Sequence, residues 1–279
     1  VIPTSPNTPT DPTTQGTMDA LAEFDIMHPI AAPEPTDPII SSRVDFGWVS
    51  LTQATATGRR KQNEDFTDHA MIGDCLVVVL ADGMGGHQAG REAAELAVRG
   101  VLSLLTSRKK SLANAEHETH LAARLLDDAV RRASHSVAGL ADRVGHGRAP
   151  GCTLLIALVY RQKFIVRHIG DSRALWANER SCWELTQPHH IGHSLTSAIP
   201  DPKQQDTFVR SVPYDQNVAL ALFSDGITQP FKPECGSGLR LHVSDYGMQN
   251  LATARLYVVE QLALADPYQD NTTAVVIRW

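Results

Sequence analysis

Cys75-Leu76-Val77-Val78-Val79-Leu80-Ala81-Asp82-Gly83-Met84-Gly85-Gly86-His87-Gln88-Ala89-Gly90-Arg91 decides the fold. Seven apolar residues in a row read as a strand buried on both faces, and the run stops at an aspartate followed by glycines. A carboxylate at the edge of a core is costly unless a cation meets it. Three more strand-like runs carry an acid at one end: Phe164 to Gly170 before Asp171, Val218 to Ser224 before Asp225, and Thr272 to Trp279 after Asp270. Four acids at four strand ends describe one site for a hard cation. Carboxylate, carbonyl and water oxygens are what Mg²⁺ or Mn²⁺ prefers, and no Cys or His set is spaced to compete.

Working outward, Val44 to Thr57 alternates enough for a strand, and Gly58 to Asp65 is a polar turn. Ala93, Ala97, Val101 and Leu104/Leu105 recur at helical spacing, so a helix spans about 89–106, straight after the glycine loop. Leu121, Leu125, Ala129, Ala133, Val137 and Leu140 place a second helix over about 114–144, and a third is expected over 247–265. Between them Cys152 to Tyr160, Lys163 to Gly170, Arg173 to Ala177, Trp183 to Leu185, Thr207 to Val212 and Val218 to Ser224 read as strands joined by short turns, which favours antiparallel pairing. Thr272 to Ile277 is a last strand. Blocks of strands and blocks of helices argue α+β rather than a doubly wound sheet.

The 279 residues, 42% hydrophobic and 20% charged, suffice for one globular domain with an appendage. Residues 1–42 hold half the prolines and six acids (Asp11, Asp19, Glu23, Asp25, Glu34, Asp37) without a Lys or Arg. That composition reads as a disordered acidic tail, within which Met18 to Met27 could form a short amphipathic helix. Residues 43–279 then carry 25 acids against 25 bases, so nucleic acid and anionic membranes are not expected partners. Cys75, Cys152, Cys182 and Cys235 lie far apart with no C-x-x-C pair, which favours reduced thiols and a cytoplasmic location. No signal peptide or membrane-spanning helix is read from the apolar runs.

Each Asp-Gly pair alone is an ordinary turn. Together with Asn63-Glu64-Asp65 and a nearby Arg60, the four acids are the parts of a binuclear metal site that holds a phosphate. No Cys is followed by Arg at the spacing of a cysteine phosphatase, and there is no P-loop, G-x-S-x-G or H-E-x-x-H. His189-His190-x-x-His193 reads as a polar loop rather than a metal site.

Arg60-x-x-Asn63-Glu64-Asp65, Ala81 to His87, Gly151-Cys152-Thr153, Ile169-Gly170-Asp171-Ser172-Arg173, Ser224-Asp225-Gly226-Ile227-Thr228 and Asp270-Asn271-x-Thr273 occur in that order over residues 44–279. In this the chain resembles the bacterial form of the metal-dependent protein serine/threonine phosphatases, the type 2C or PPM family. The resemblance implies a four-layer α-β-β-α sandwich of two antiparallel sheets over 43–279, with two Mn²⁺ or Mg²⁺ ions at one end and a third, weaker position. It implies that Asp82 bridges both ions, the Gly83 carbonyl binds one, Asp225 and Asp270 bind the other, and Asp171 with Asp225 serves the third. Glu64 and Asp65 would act through metal-bound water, Arg60 would grip the substrate phosphate, and His87 is a candidate general acid. A metal-bridging hydroxide would attack phosphoserine or phosphothreonine in line.

Phosphorylated proteins and a cognate Ser/Thr kinase are the partners so implied, and a monomer is expected. The rival is a weak or inactive regulatory module on the same fold. Two departures stand out. Leu185-Thr186-Gln187-Pro188-His189-His190 carries proline where relatives usually have Asp, and Ser194-Leu195-Thr196-Ser197-Ala198-Ile199 follows so soon that the flap beside the active site is almost wholly deleted. Ser197 stands where that motif usually has arginine, and a more open site is expected.

Overall fold

The computed structural model describes residues 39–85, 88–144, 149–178, 182–191, 194–212, 217–228, 254, 255, 258 and 269–279. In chain order these form β1 (Ile40–Asp45), β2 (Ser50–Ala56), β3 (Phe66–Ile72), β4 (Cys75–Ala81), β5 (Gly83–Met84), α1 (Gln88–Ser107), α2 (Lys109–Ala115) and α3 (Thr119–Val144). There follow β6 (Gly151–Cys152), β7 (Leu154–Val159), β8 (Lys163–Ile169), β9 (Arg173–Asn178), β10 (Cys182–Glu184), β11 (His190–Ile191), β12 (Ser194–Leu195), β13 (Asp206–Ser211), β14 (Val218–Phe223), α4 (Asp225–Thr228) and β15 (Thr272–Arg278).

Two antiparallel sheets carry the fold. One runs β1-β2-β15-β14-β9-β10 and the other β13-β8-β7-β4-β3. The strand alternation of β4 shows how they stack. Leu76, Val78 and Leu80 point between the sheets, where they meet Phe164, Val166, Leu220, Leu222, Val275 and Ile277. Cys75, Val77, Val79 and Ala81 point the other way, onto Ala93, Ala97, Val101, Leu126, Ala133 and Val137 of α1 and α3. Both faces of β4 are therefore buried, which is why its sequence has no period of two. The outer face of the first sheet buries Ala219, Ala221, Phe223 and Val276 with Ala254 and Val258, which are helical. The α+β sandwich of two antiparallel sheets flanked by helices is thus the observed architecture.

Several sequence expectations are corrected. The expected tail through residue 42 gives up its last residues, because Ile40–Asp45 pairs with β2 in register Ile40↔Thr55. The single strand expected over 44–57 is two. Phe46 N–H bonds the Val49 carbonyl at 2.9 Å and Gly47 N–H bonds Asp45 Oδ1 at 2.7 Å, closing a turn in which Gly47 takes φ +84°. The helix expected over 114–144 begins only at Thr119. The carbonyls released where α2 ends are taken by others: Tyr160 Oη–H bonds Leu112 O at 2.8 Å and Lys163 Nζ bonds Glu116 O at 2.9 Å. Strand β3 was not expected at all. It is an edge strand of half-buried residues paired, among the described residues, only to β4, so Phe66-Thr67-Asp68-His69 shows no strong apolar pattern. The expected segments at 18–27 and most of 247–265 lie outside the described residues.

The same rim of both sheets gathers the acids. Antiparallel pairing brings the end of β4 beside the start of β7, the start of β7 beside the end of β8, and the end of β14 beside the start of β15.

Candidate metal centre

Asp82 follows β4 directly, in alternation with Leu76, Val78 and Leu80, whose side chains lie between the sheets. Its main chain is pinned from both directions: Asp82 N–H bonds Thr153 Oγ1 and Thr153 N–H bonds the Asp82 carbonyl, each at 2.9 Å. Gly83 and Met84 then pair with Cys152 and Gly151. A side chain on Gly83 would strike the Gly90 carbonyl at the start of α1, so glycine is required for this close approach.

Asp171 follows Gly170, which holds φ +106° against Thr153. Asp225 opens the single turn α4 after β14. One carboxylate oxygen each from Asp82, Asp171 and Asp225 lie within 4.8 Å of one another, so residues 143 positions apart in sequence share one small volume. Asp270 stands at the entrance to β15, its Oδ1 accepting the Asn271 N–H at 2.8 Å and its Oδ2 paired with the Arg60 guanidinium.

The loop carrying Arg60, Glu64 and Asp65 is tied down by a polar net. Asn271 Nδ2 donates to the carbonyls of Thr57 (2.7 Å) and Gln62 (3.0 Å), and its Oδ1 accepts the Glu64 N–H at 2.9 Å. Asn63 Oδ1 accepts the Asp65 N–H at 3.0 Å, while Asn63 Nδ2 reaches Thr55 Oγ1 at 2.7 Å and Arg91 donates to the Asp65 carbonyl. Asp65 is thereby sunk beneath the cluster, 1% exposed, and neither of its carboxylate oxygens meets a hydrogen-bond partner among the described residues. The Glu64 side chain lies over Gly90, in the first turn of α1, where a helix N-terminus favours negative charge.

This crowding sets the electrostatics. Burial pushes Asp225 up to about 8, and the charges of Asp171, Asp270 and Asp65 add to it. Burial, then Asp65 and the other acids, raise Asp82 well above the usual carboxylate range. Asp65 is pushed up to about 6 by burial, with the neighbouring Thr273 and Ser224 hydroxyls offsetting part of the rise, and Asp171 is also raised, chiefly by burial. Like charges this close cannot all ionise in a dry site unless a cation joins them. The donor set is all oxygen, the Asp65 oxygens are orphaned and buried, and Gly83 leaves its backbone uncovered by a side chain. A hard divalent cation fits that set.

The two cysteines whose side chains are described are no alternative. Cys75 and Cys152 are free and buried, and burial pushes Cys75 up to about 12 and Cys152 higher, so neither is a thiolate nucleophile.

Of the residues singled out from sequence, Asp82, Asp171 and Asp225 come together, Asp65 and Asp270 border them, and Arg60 sits on Asp270. His87 lies outside the described residues. The histidine loop is corrected in part. His190 is exposed, but His189 is 3% exposed, bonded to Asp206 and packed against a fully buried His168. Strand alternation could have exposed this, since His168 continues the inward face of Phe164 and Val166. The segment where a shortened flap is expected forms a two-residue ladder, His190↔Leu195 and Ile191↔Ser194. Ser197 closes the next loop on itself, donating to the Gln204 carbonyl at 2.6 Å and accepting its N–H at 2.9 Å.

A two-sheet sandwich with a rim of carboxylates built for hard cations is the architecture of a class of phosphate-processing proteins. Residues 53–263 match the sequence profile of Protein phosphatase 2C, and the chain belongs to that family, whose members are metal-dependent. Among relatives, the serine/threonine phosphatase Stp of Listeria welshimeri is 29% identical over 175 residues, 54% of this chain and 66% of that protein. The protein phosphatase PhpP of Streptococcus pneumoniae is 26% identical over 50% of this chain and 54% of its own. The chain thus spans about two thirds or less of the length of these relatives. The serine/threonine phosphatase of S. agalactiae superposes with a TM-score of 0.67 over 86% of this chain and 99% of its own, at 20% identity. That of Mycobacterium tuberculosis, PstP/Ppp, gives 0.62 over 82% and 97%, at 24% identity. At such identities these structures establish the fold. Among the described residues no helix is long and apolar enough to cross a membrane.

Proposed function

We propose that this chain is a metal-dependent protein phosphatase that hydrolyses phosphoserine or phosphothreonine on proteins. The observation that supports it most is the meeting of Asp82, Asp171 and Asp225 beside a buried Asp65. Two Mn²⁺ or Mg²⁺ ions would be held here by Asp82, the Gly83 carbonyl, Asp225 and Asp270, and Asp171 with Asp225 would hold a third, weaker one. Bound there, such ions acidify water and neutralise charge on phosphoryl oxygens.

The remaining work falls to the chain. Glu64 and Asp65 orient water from beneath the cluster. Arg60, whose side chain is 57% exposed at the mouth, offers its planar fork to the substrate's phosphoryl oxygens while Asp270 keeps it aimed. His87 is the candidate for the acid that protonates the leaving alkoxide, its alternative being a structural residue of the glycine loop. The domain is taken as 43–279 with the β1 addition described above, preceded by an acidic tail, and the protein as a cytoplasmic monomer working against a Ser/Thr kinase.

Hydrolysis of p-nitrophenyl phosphate by the full chain tests the reading. Activity should require Mn²⁺ or Mg²⁺, vanish with EDTA, and fall by on the order of 10²-fold or more in Asp225→Asn, as expected when a group worth several kcal/mol of charge stabilisation is lost. Metal-independent turnover would refute it, and no turnover with any divalent ion would favour a regulatory module instead. The two-residue ladder in place of a flap supports an open site, so kcat/KM for the aryl phosphate should lie within about tenfold of that for a phosphothreonine peptide. A preference of several orders of magnitude for one folded phosphoprotein would contradict that openness.

A further inference from the structure

Beside the acidic rim, His168, His189 and Asp206 offer three donor atoms within 4.8 Å of one another. The set would suit a nitrogen-preferring cation, but its hydrogen bonds decide otherwise. Gly170 N–H donates to His189 Nδ1 at 3.2 Å, so Nδ1 presents its lone pair to the backbone and the ring proton sits on Nε2, which donates to Asp206 Oδ2 at 2.8 Å. A ligating imidazole needs the reverse, a lone pair toward the ion and the other N–H toward an acceptor. The ring is committed to the main chain of Gly170.

That commitment is two-sided. His189 N–H also donates to the Gly170 carbonyl at 2.7 Å, so one residue holds both polar groups of one peptide position. A Cβ at Gly170 would come within 2.6 Å of Thr153 Cγ2, so only glycine fits where Thr153 approaches. The residue after Asp171 is fixed as well, Ser172 Oγ sharing a 2.8 Å hydrogen bond with Thr153 Oγ1, the atom that also accepts the Asp82 N–H. Asp171 is therefore carried between two pinned neighbours. Asp206 faces His168 across the β13–β8 ladder, and the His168 ring packs against His189 at a tilt of 46° with centroids 4.5 Å apart.

We infer that His189 is a positioning residue: oriented by Asp206 and packed against His168, it holds Gly170 so that the Asp171 carboxylate stays turned into the cluster with Asp82 and Asp225. The inference rests on the metal-site reading above and concerns the affinity of the ion that Asp171 serves. A cheaper way to bury two histidines would be two leucines, which could not satisfy the Gly170 N–H.

Two variants divide the clamp. In His189→Asn the amide Oδ1 occupies the place of Nδ1 and still accepts from Gly170, but cannot reach Asp206. In His189→Gln the amide reaches Asp206 and leaves the Gly170 N–H unmet. Titrating the untagged full chain with Mn²⁺ and reading free Mn²⁺ by electron paramagnetic resonance resolves the tight and weak classes of site without any turnover. The weak class should lose about tenfold or more in affinity in His189→Gln, remain within about threefold of wild type in His189→Asn, and weaken to a lesser degree in Asp206→Ala, as for residues that orient ligands. The tight class should hold in all three, and the unfolding temperature in EDTA should fall by no more than the few degrees that one unmet buried N–H costs.

An unchanged weak class in both His189→Gln and Asp206→Ala would overturn the inference. So would a loss of both classes together with a fall in unfolding temperature, or an Asn variant as impaired as Gln. If wild type bound no Mn²⁺ at all, the metal-site reading itself would fall and the clamp with it. Normal binding by wild type with indifferent variants would remove the clamp alone.

Discussion

Asp225 shows what single residues contribute. In the folded, metal-free chain it keeps its proton to about pH 8, whereas an unfolded aspartate releases it near about 4. The folded state then binds more protons between those limits, so the stabilising effect is full below the lower one and is lost as pH rises through the upper. His168, whose ionisation burial lowers to about 4, works in the opposite sense, but only below about pH 6.5. Between about pH 6.5 and 8 the acids act alone. In EDTA the unfolding temperature should fall across that window, and saturating Mn²⁺ should abolish the fall by replacing the shared protons. A flat or rising profile in EDTA would show that the carboxylates are not crowded as described. At this scale the sequence is most legible for acids that end apolar runs, and least for His189, whose burial depends on a contact with Asp206 from a strand it does not adjoin in sequence.

Among elements, the junction of β14, α4 and β15 shows how a local reading can name the right residues for an incomplete reason. Asp225-Gly226 looks like an ordinary turn, and glycine there is explained by turn propensity. In the structure Gly226 sits inside α4 with its α-carbon against the Asn271 carbonyl, and a methyl group would collide with it. Close approach of two elements, not backbone freedom, demands the glycine. Gly226→Ala should therefore destabilise the chain by about 1–3 kcal/mol in urea unfolding with EDTA present, the usual cost of overfilling a packed contact. A neutral result would mean that α4 and the entrance to β15 are not in contact. Strands β4, β7, β8 and β14 were legible because their apolar runs are long and end in polar signals. Strand β3 was not, since a half-buried edge strand lacks both, and the break between α2 and α3 is set by Tyr160 and Lys163 from other elements.

For the whole molecule, antiparallel pairing alternates strand direction, and this is what delivers acids from both termini of strands to one rim. Asp82, Asp171 and Asp225 follow the ends of β4, β8 and β14, while Asp270 precedes β15, yet all four belong to the same edge of the sandwich. Apolar burial between the sheets holds that edge shut against the mutual repulsion of the acids. The order of motifs made the convergence readable in the sequence, whereas its tightness, the orphaned state of Asp65 and the pairing of Arg60 with Asp270 needed three dimensions. Crystals of the full chain grown with Mn²⁺ and measured at the manganese absorption edge test the central claim most directly. Two anomalous peaks roughly 3.5–4 Å apart, with Asp82 between them and Asp225 on one, are the result predicted. Asp82 and Asp225 turned away from each other, with no peak between them, would contradict it.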